Sequence, residues 1–393
     1  MLTSSLAQSV AAENAAVTGL GILITDPDGT VIGSSDPTRL GSFHEASVDV
    51  VRTRMPASHN AEQAAALRGV RPGLTLPLLV AGDAVGTVGI TGSPARIRRF
   101  GPLVRRHTEI LLRESAALRS QFARERAAED LIRDLADDDR DEPGSTDFRD
   151  RVRDLGCRVN ASRIAIVFAT SQNRGSEDEP ALVSSSRAEV FRAVRDHYTL
   201  REDISAQLTP SRFVVLHHLP DRPDEQALGI AASDARSLVA SLRTRHRADL
   251  RAALGDVGHT IDGLRWSLHD ALDALALGTR IDPTTVVHRI DRLRMHQVLT
   301  AAGRDARSRL GASYLSELRT LGDWHELRQT IIAWCESGFR LVDAARALHV
   351  HRNTVVYRIA KIERIAGRDL HQYADCLTIY MACLADQIGG RHD

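Results

Sequence analysis

Residues 340–370 read RLVDAARALHVHRNTVVYRIAKIERIAGRDL, two short amphipathic runs parted by a tight break. No other stretch restricts the fold so closely. Leu341, Ala344, Ala345, Leu348, Val350, Val355, Ile359 and Ile362 fall at helical spacing on either side of the break. Ala344 and Ala345 are small enough to let a second helix cross closely, and Leu348 and Val350 bracket the turn. The pattern is that of a helix-turn-helix. Its turn position, often glycine, holds His349, so the backbone there must find another solution or accept modest strain.

The polar face of the second run carries His351, Arg352, Asn353, Thr354, Tyr357, Arg358 and Lys361, donors and acceptors suited to phosphates and base edges. Between residues 351 and 368 stand Arg352, Arg358, Lys361, Arg364 and Arg368 against Glu363 alone. The whole chain is neutral, with 51 basic and 51 acidic residues, so this charge is a local concentration of the kind that phosphate binding requires. The competing reading is a solvated helical face in an ordinary bundle. Arg352 and Asn353 lie at the helix N-terminal end where base edges are reachable, whereas Arg358 and Lys361 are placed for phosphates. Tyr357 either stacks on the DNA backbone or braces helix packing. One recognition helix reads few base pairs, so a homodimer or higher homo-oligomer on repeated half-sites of operator DNA is expected. The segment HVHRNTVVYRIAKIERIAGRDL resembles the C-terminal helix-turn-helix of purine-catabolism (PucR-type) regulators, matching its His-Arg-Asn-Thr and Tyr-Arg positions; the likeness extends over about residues 323–385.

A length of 393 residues suits two to three domains. Hairpin signals at 19–25 with 30–34 and at 74–80 with 84–91 flank a helical stretch near 43–55, and Ser93-Pro94 opens another helix. From Leu103 past Leu135 the pattern stays helical, with Leu111, Leu118, Phe122, Leu131 and Leu135 amid charge; this arm either pairs with a second copy or folds back on its own domain. The acidic, breaker-rich run 137–145 marks a domain border. Beyond it, strands at 164–169 and 213–217 and helices at 184–196 and 231–243 form a further α/β unit, with a polar loop at 175–180. From Gly263 nearly everything is helical, apart from a strand at 285–290. No apolar run approaches 18 residues and no leader pattern opens the chain, so cytoplasmic residence without a membrane partner is expected. The four cysteines show no CxxC and read as small buried thiols, and no metal or cofactor is implied.

In the first domain Arg39-Leu40-Gly41-Ser42-Phe43-His44-Glu45 and Ile90-Thr91-Gly92-Ser93-Pro94 each bring a glycine just before a helix. Free amides at a helix N-terminus bind carboxylate or phosphate; Arg39 adds a bidentate contact, His44 a second donor, and the loop Gly69–Gly73 closes the other side. The bland alternative is a surface salt bridge and ordinary turns. The arrangement also resembles the sugar-diacid recognition domain of carbohydrate diacid regulators (CdaR-like). The match runs through Asp26, Gly29, Ile32, Ser34, Asp36, Arg39, Gly41, His44 and Glu45, then Gly69, Val70, Pro72, Gly73, Leu76 and Pro77, then Gly89 to Gly92 and Pro94. It departs at Ala46, where glycine is usual. The resemblance implies a small hydroxy acid or sugar diacid as effector (glycerate, glucarate or galactarate-like), held by Ser35, Arg39, Gly41, His44, Pro72, Gly73, Thr91 and Gly92. It also implies a degenerate GGDEF-like middle domain, whose closing helix is matched by Ser267–Leu275, and no GGDEF or GGEEF string occurs. The expected architecture is multidomain α+β: an α/β sensor domain (1–115), a helical linker (116–136), a GGDEF-like α/β domain (137–290) and an all-α helix-turn-helix domain (291–393). The function implied is ligand-responsive transcription control without catalysis. The rival is an enzyme acting on a small carboxylic acid, but Asp36, His44 and Glu45 have no nucleophile or metal-ligand partner at motif spacing.

Overall fold

The computed structural model describes residues 3–80, 82–137, 146–155, 158, 160–170, 180–200, 202–246 and 249–389. The acidic run at 137–145 apart from Asp137, the polar loop at 175–180 apart from Pro180, and Cys157 lie outside the described residues. The chain forms two compact units, Met1–Arg124 and Glu125–Asp393.

In the first unit, α1 (Ser4–Thr18) leads into β1 (Gly21–Thr25) and β2 (Val31–Ser34), followed by α2 (Glu45–Thr53), β3 (Ala57–His59) and α3 (Ala61–Ala65). The hairpin β4 (Gly73–Val80) and β5 (Asp83–Thr91) then feeds α4 (Pro94–Ala136). The strands make one antiparallel sheet in the order β2-β1-β5-β4-β3. Side-chain alternation gives the sheet two different faces. Ile22, Ile24, Leu76, Leu78, Val88 and Ile90 make an apolar one, buried with Ala7, Val10 and Ala11 of α1 and Ile97, Val104 and Leu112 of α4. The opposite face therefore carries Gly21, Leu23 and Thr25, with Thr87, Gly89 and Thr91 in register on β5 and Gly73, Thr75 and Pro77 on β4. Helix α2 packs against β4 and β5. Leu103, Ile110, Leu118 and Phe122 of α4 are exposed, while Leu131 and Leu135 are fully buried in the core of the second unit.

The second unit contains α5 (Thr146–Asp154), β6 (Arg163–Thr170), α6 (Pro180–His197), β7 (Ile204–Thr209), β8 (Arg212–His218), α7 (Glu225–His246), β9 (Leu250–Gly258), α8 (Ile261–Ile281) and β10 (Val287–Arg289). The sheet order is β10-β9-β6-β8-β7, parallel only between β10 and β9. Ile164, Ile166, Phe168, Phe213 and Val215 join Val190 and Val194 of α6 and Ala235 and Val239 of α7 in one core, and Ala165, Val167, Val214 and Leu216 meet α8 in another. Helices α9 (Arg294–Ala301), α10 (Arg304–Leu315), α11 (Trp324–Glu336), α12 (Leu341–Ala347), α13 (Arg352–Ala366) and α14 (Tyr373–Gly389) complete the chain. Leu299 of α9 and Leu384, Ala385 and Ile388 of α14 enter the α8 core, so sheet and C-terminal helices share one apolar interior. The expected α+β class with sensor, GGDEF-like and helical parts is the one observed. Strands β3, β7 and β9 and helix α1 were not read from the sequence.

Candidate ligand site and DNA interface

In the first unit three polar links clasp the loop 68–73 to the segment leading into α2. Asp36 accepts from Thr38 and pairs with Arg71 at 2.9 Å, and both hold its carboxyl below the usual carboxylate range. Arg39 donates to the Gly69 carbonyl. The Glu45 carboxylate accepts the Arg68 N–H at 2.7 Å, while the Glu45 N–H donates to the Arg68 carbonyl at 3.0 Å. Glycine is needed at position 69, because φ is +68° and a Cβ would stand 1.9 Å from the Phe43 carbonyl oxygen.

His44 precedes α2 and is buried. Its Nδ1 lies 2.7 Å from Ser47 Oγ, which is 2.7 Å from Thr87 Oγ1, which is 2.8 Å from Thr25 Oγ1. A chain of hydroxyls thus runs from the imidazole across the second sheet face. Burial first, then the charges of Arg39 and His59, push the His44 pKa down to about 4, so the ring is neutral at pH 7. Burial and the neighbouring Arg71 also lower the pKa of Arg39. Arg39 and Arg71 therefore stand here near Asp36, which pairs with Arg71, while the Glu45 carboxylate is taken up by the Arg68 N–H.

The fold brings most of the expected ligand residues into this region. Arg39 and His44 stand against the loop that ends in Pro72 and Gly73, and Gly73 and Thr91 share the sheet face on which α2 packs. Ser35 is engaged elsewhere: its hydroxyl accepts from Ile22 N–H at 3.0 Å and donates to Ile22 O at 3.2 Å. Gly92 is exposed just ahead of α4. Free amides around Gly41 are not found. The bridge between Thr30 and Phe43 draws this segment onto β2, and Gly41 N–H donates to Val31 O at 2.9 Å, His44 N–H to Gly29 O at 2.8 Å. Arg71, His59 and the Ser47–Thr87–Thr25 relay were missed by sequence reasoning. The available signal was threonine alternating with aliphatic residues on β1, β4 and β5.

In the second unit every apolar position read from the 340–370 pattern belongs to one core, with Ala344, Ala345, Val355, Ile359 and Ile362 buried and Leu341, Leu348 and Val350 packed at its edge. His349 takes the left-handed conformation at φ +54°, and Val350 N–H returns to Ala345 O at 3.0 Å, the closure that glycine usually serves. His351 caps α13, its Nδ1 accepting from Asn353 N–H at 3.3 Å. Arg352, Asn353 and Tyr357 are exposed, Tyr357 at 66%, so its ring does not brace the packing, while Thr354 is half-buried. Arg358 and Lys361 stand differently. Arg358 pairs with Glu326 on α11, and Lys361 Nζ lies 2.6 Å from Asp323 Oδ2. Arg368 pairs with Asp375 at 3.4 Å. Three of the five cations counted between residues 351 and 368 thus face acids from elsewhere in the domain. Cys376 and Cys383 are buried in the same core and Cys335 is half-buried, and burial pushes all three thiols up. Among the described residues no helix is long and apolar enough to cross a membrane, and no group of three or more His, Cys, Asp or Glu could hold a metal ion.

Family models match along the chain: sugar diacid recognition over residues 2–135, a GGDEF-like domain over 138–277, and the PucR C-terminal helix-turn-helix domain over 327–385. The carbohydrate diacid regulator of Escherichia coli (strain K12) is 28% identical over 393 residues, covering 98% of each chain. The protein YsfB of Bacillus subtilis (strain 168) is 24% identical over 379 residues, or 96% of each chain. The transcriptional activator PmfR of Paenarthrobacter nicotinovorans is 38% identical over 56 residues, which are 14% of this chain and 12% of that one. Matches to a diacid-recognition module, a GGDEF-like domain and a PucR-type helix-turn-helix thus follow one another along this chain, which is similar over 98% of its length to the carbohydrate diacid regulator, and together they support a ligand-responsive transcription regulator.

Proposed function

We propose that the first unit binds a small hydroxy acid or sugar diacid of the glycerate, glucarate or galactarate type. Binding controls how α13 engages operator DNA at genes for catabolism of that acid. The observation that carries this reading is Arg39, which donates to a carbonyl and forms no ion pair among the described residues, next to the Arg71–Asp36 pair and the neutral, buried His44 with its hydroxyl chain. A carboxylate supplies the missing charge to the guanidinium groups, and the polar sheet face supplies partners for hydroxyls. Since the Gly41 and His44 amides are already bonded, side chains rather than a helix N-terminus hold the acid. The protein acts in the cytoplasm as a homodimer or higher oligomer, and its middle domain serves as spacer and association surface rather than as a cyclase. At the DNA, His351, Arg352, Asn353, Thr354 and Tyr357 meet base edges and nearby backbone. Arg358 and Lys361 reach phosphates by exchanging their present acidic partners for them.

Calorimetry of the full chain against a panel of hydroxy acids and sugar diacids tests the first half. Loss of a charge-assisted contact costs about 1.5–3 kcal/mol, so Arg39→Ala weakens binding at least about tenfold. Unchanged affinity removes Arg39 from the site, and turnover of any acid in the panel favours the enzyme reading instead. The second half is tested with operator and random DNA. Arg352→Ala costs about 1–3 kcal/mol on the operator and little on random sequence. Equal loss on both places Arg352 on phosphate.

A further inference from the structure

A cleft of about 800 Å³ opens in the second unit where α8 ends beside α10, α11 and the last turns of α14. Five arginines line it: Arg280, Arg304, Arg307, Arg319 and Arg328. Asp386 is the one carboxylate among the lining residues, and it is already shared, with Arg319 and Arg328 each at 2.7 Å and the Trp324 indole N–H at 3.2 Å. Arg307 donates only to uncharged carbonyls, Leu299 O at 3.0 Å and Thr300 O at 2.8 Å. Arg280 and Arg304 are exposed and meet no acid among the described residues. The Nε of Arg328 is buried and has no hydrogen-bond partner. Gly311 on α10 makes room for this assembly, since a Cβ there would stand 2.3 Å from Arg319 Nη2.

Such a surplus of fixed positive charge in one concavity is unusual in a chain whose basic and acidic residues balance at 51 each. The volume falls within the range of small-molecule sites, roughly 300–1,000 Å³. A monocarboxylate supplies one charge and leaves most of the guanidinium groups uncompensated. A phosphate supplies about −1.5 to −2 and three acceptor oxygens that match the guanidinium fork. A duplex backbone is a convex row of phosphates, whereas these arginines converge from several helices on a recess. We propose that this cleft binds a small molecule carrying two or more linked phosphates. The first turn of α11 connects it to the recognition helix: Trp324 and Arg328 face the cleft, while Asp323, just ahead of that turn, and Glu326 hold Lys361 and Arg358 of α13. An occupant that draws Arg328 away from Asp386 shifts the turn on which those two pairs depend, so operator affinity changes on binding; this last step rests on the DNA-reading role proposed above.

The test is calorimetry of the full-length protein with inorganic tripolyphosphate, for wild type, Arg39→Ala and the double variant Arg280→Ala/Arg304→Ala. The two replaced side chains are exposed and hold no acid, so the double variant keeps its fold, checked by an unchanged melting temperature. Wild type and Arg39→Ala bind alike, and the double variant binds at least tenfold more weakly. Equal binding by the double variant, or no binding by wild type, overturns the site. If wild type binds no tripolyphosphate while the double variant loses affinity for operator and random DNA equally, the arginines serve the duplex backbone and the proposal is wrong. Tripolyphosphate binding that leaves operator affinity unchanged overturns the coupling to α13 alone.

Discussion

His44 carries the clearest pH signature in the molecule. Its folded pKa of about 4 lies below the ~6.5 of an unfolded histidine, so between these values the unfolded chain binds the extra proton. Stability from burying the neutral ring is complete above pH ~6.5 and is lost as pH falls toward the folded value, by an amount on the order of 3 kcal/mol. Denaturant unfolding of the acid-free protein at pH 7 and pH 4.5 checks this: wild type loses more stability than His44→Gln across the interval, and parallel losses refute it. Ligand binding has the opposite sign. A carboxylate brought beside the imidazole stabilises its protonated form, so binding takes up a proton and strengthens as pH falls from 7 to 5.5. Heats of binding measured in buffers of different ionisation enthalpy report that uptake, which vanishes in His44→Gln. None of this was legible in the string His44-Glu45-Ala46-Ser47, because the burial of His44 is set by Gly29, Gly69 and β5, which are remote in sequence.

At the scale of elements, α11 and α13 show why some of the design could be read and some could not. The apolar positions of α12 and α13 were legible because a helix repeats its buried face within four residues, and Leu341, Ala344, Ala345 and Leu348, then Val355, Ile359 and Ile362, follow that period. The ion pairs were not. Asp323 and Glu326 stand 38 and 32 residues from their partners Lys361 and Arg358, and no local pattern connects them. Strand β9 escaped notice for another reason: LRAALGDVG holds two Ala and two Gly with a single β-branched residue, and is held as a strand by its neighbours β6 and β10 rather than by propensity. The α11–α13 pairs have a measurable consequence. Asp323 makes no side-chain cap to α11, so Asp323→Asn removes the partner of Lys361 without unravelling the helix. Affinity for random DNA rises, because Lys361 reaches its phosphate without giving up a carboxylate, while the slope of log K against log salt, set by the number of phosphates met, stays the same. Unchanged affinity means that Lys361 reaches no phosphate.

Leu103, Ile110, Leu118 and Phe122 expose apolar surface along α4, and a regulator that reads repeated half-sites needs a partner copy. Light scattering on the full chain is expected to give a dimer or larger species, and Leu118→Glu/Phe122→Glu to shift it toward monomer with the fold retained; an unshifted mass places the association surface elsewhere. The other whole-chain feature is compositional. Arginine supplies every fixed cation but one, so the 393 residues present a single side-chain amine, Lys361 Nζ, and the fold spends it on a carboxylate 2.6 Å away. Amine-directed acylation therefore has one side-chain target in the entire protein, located where α13 meets α11. The rate at which that one position takes up a label, followed by mass alone, becomes a built-in gauge of whether the reading helix is docked or released, with no reporter group engineered into the chain.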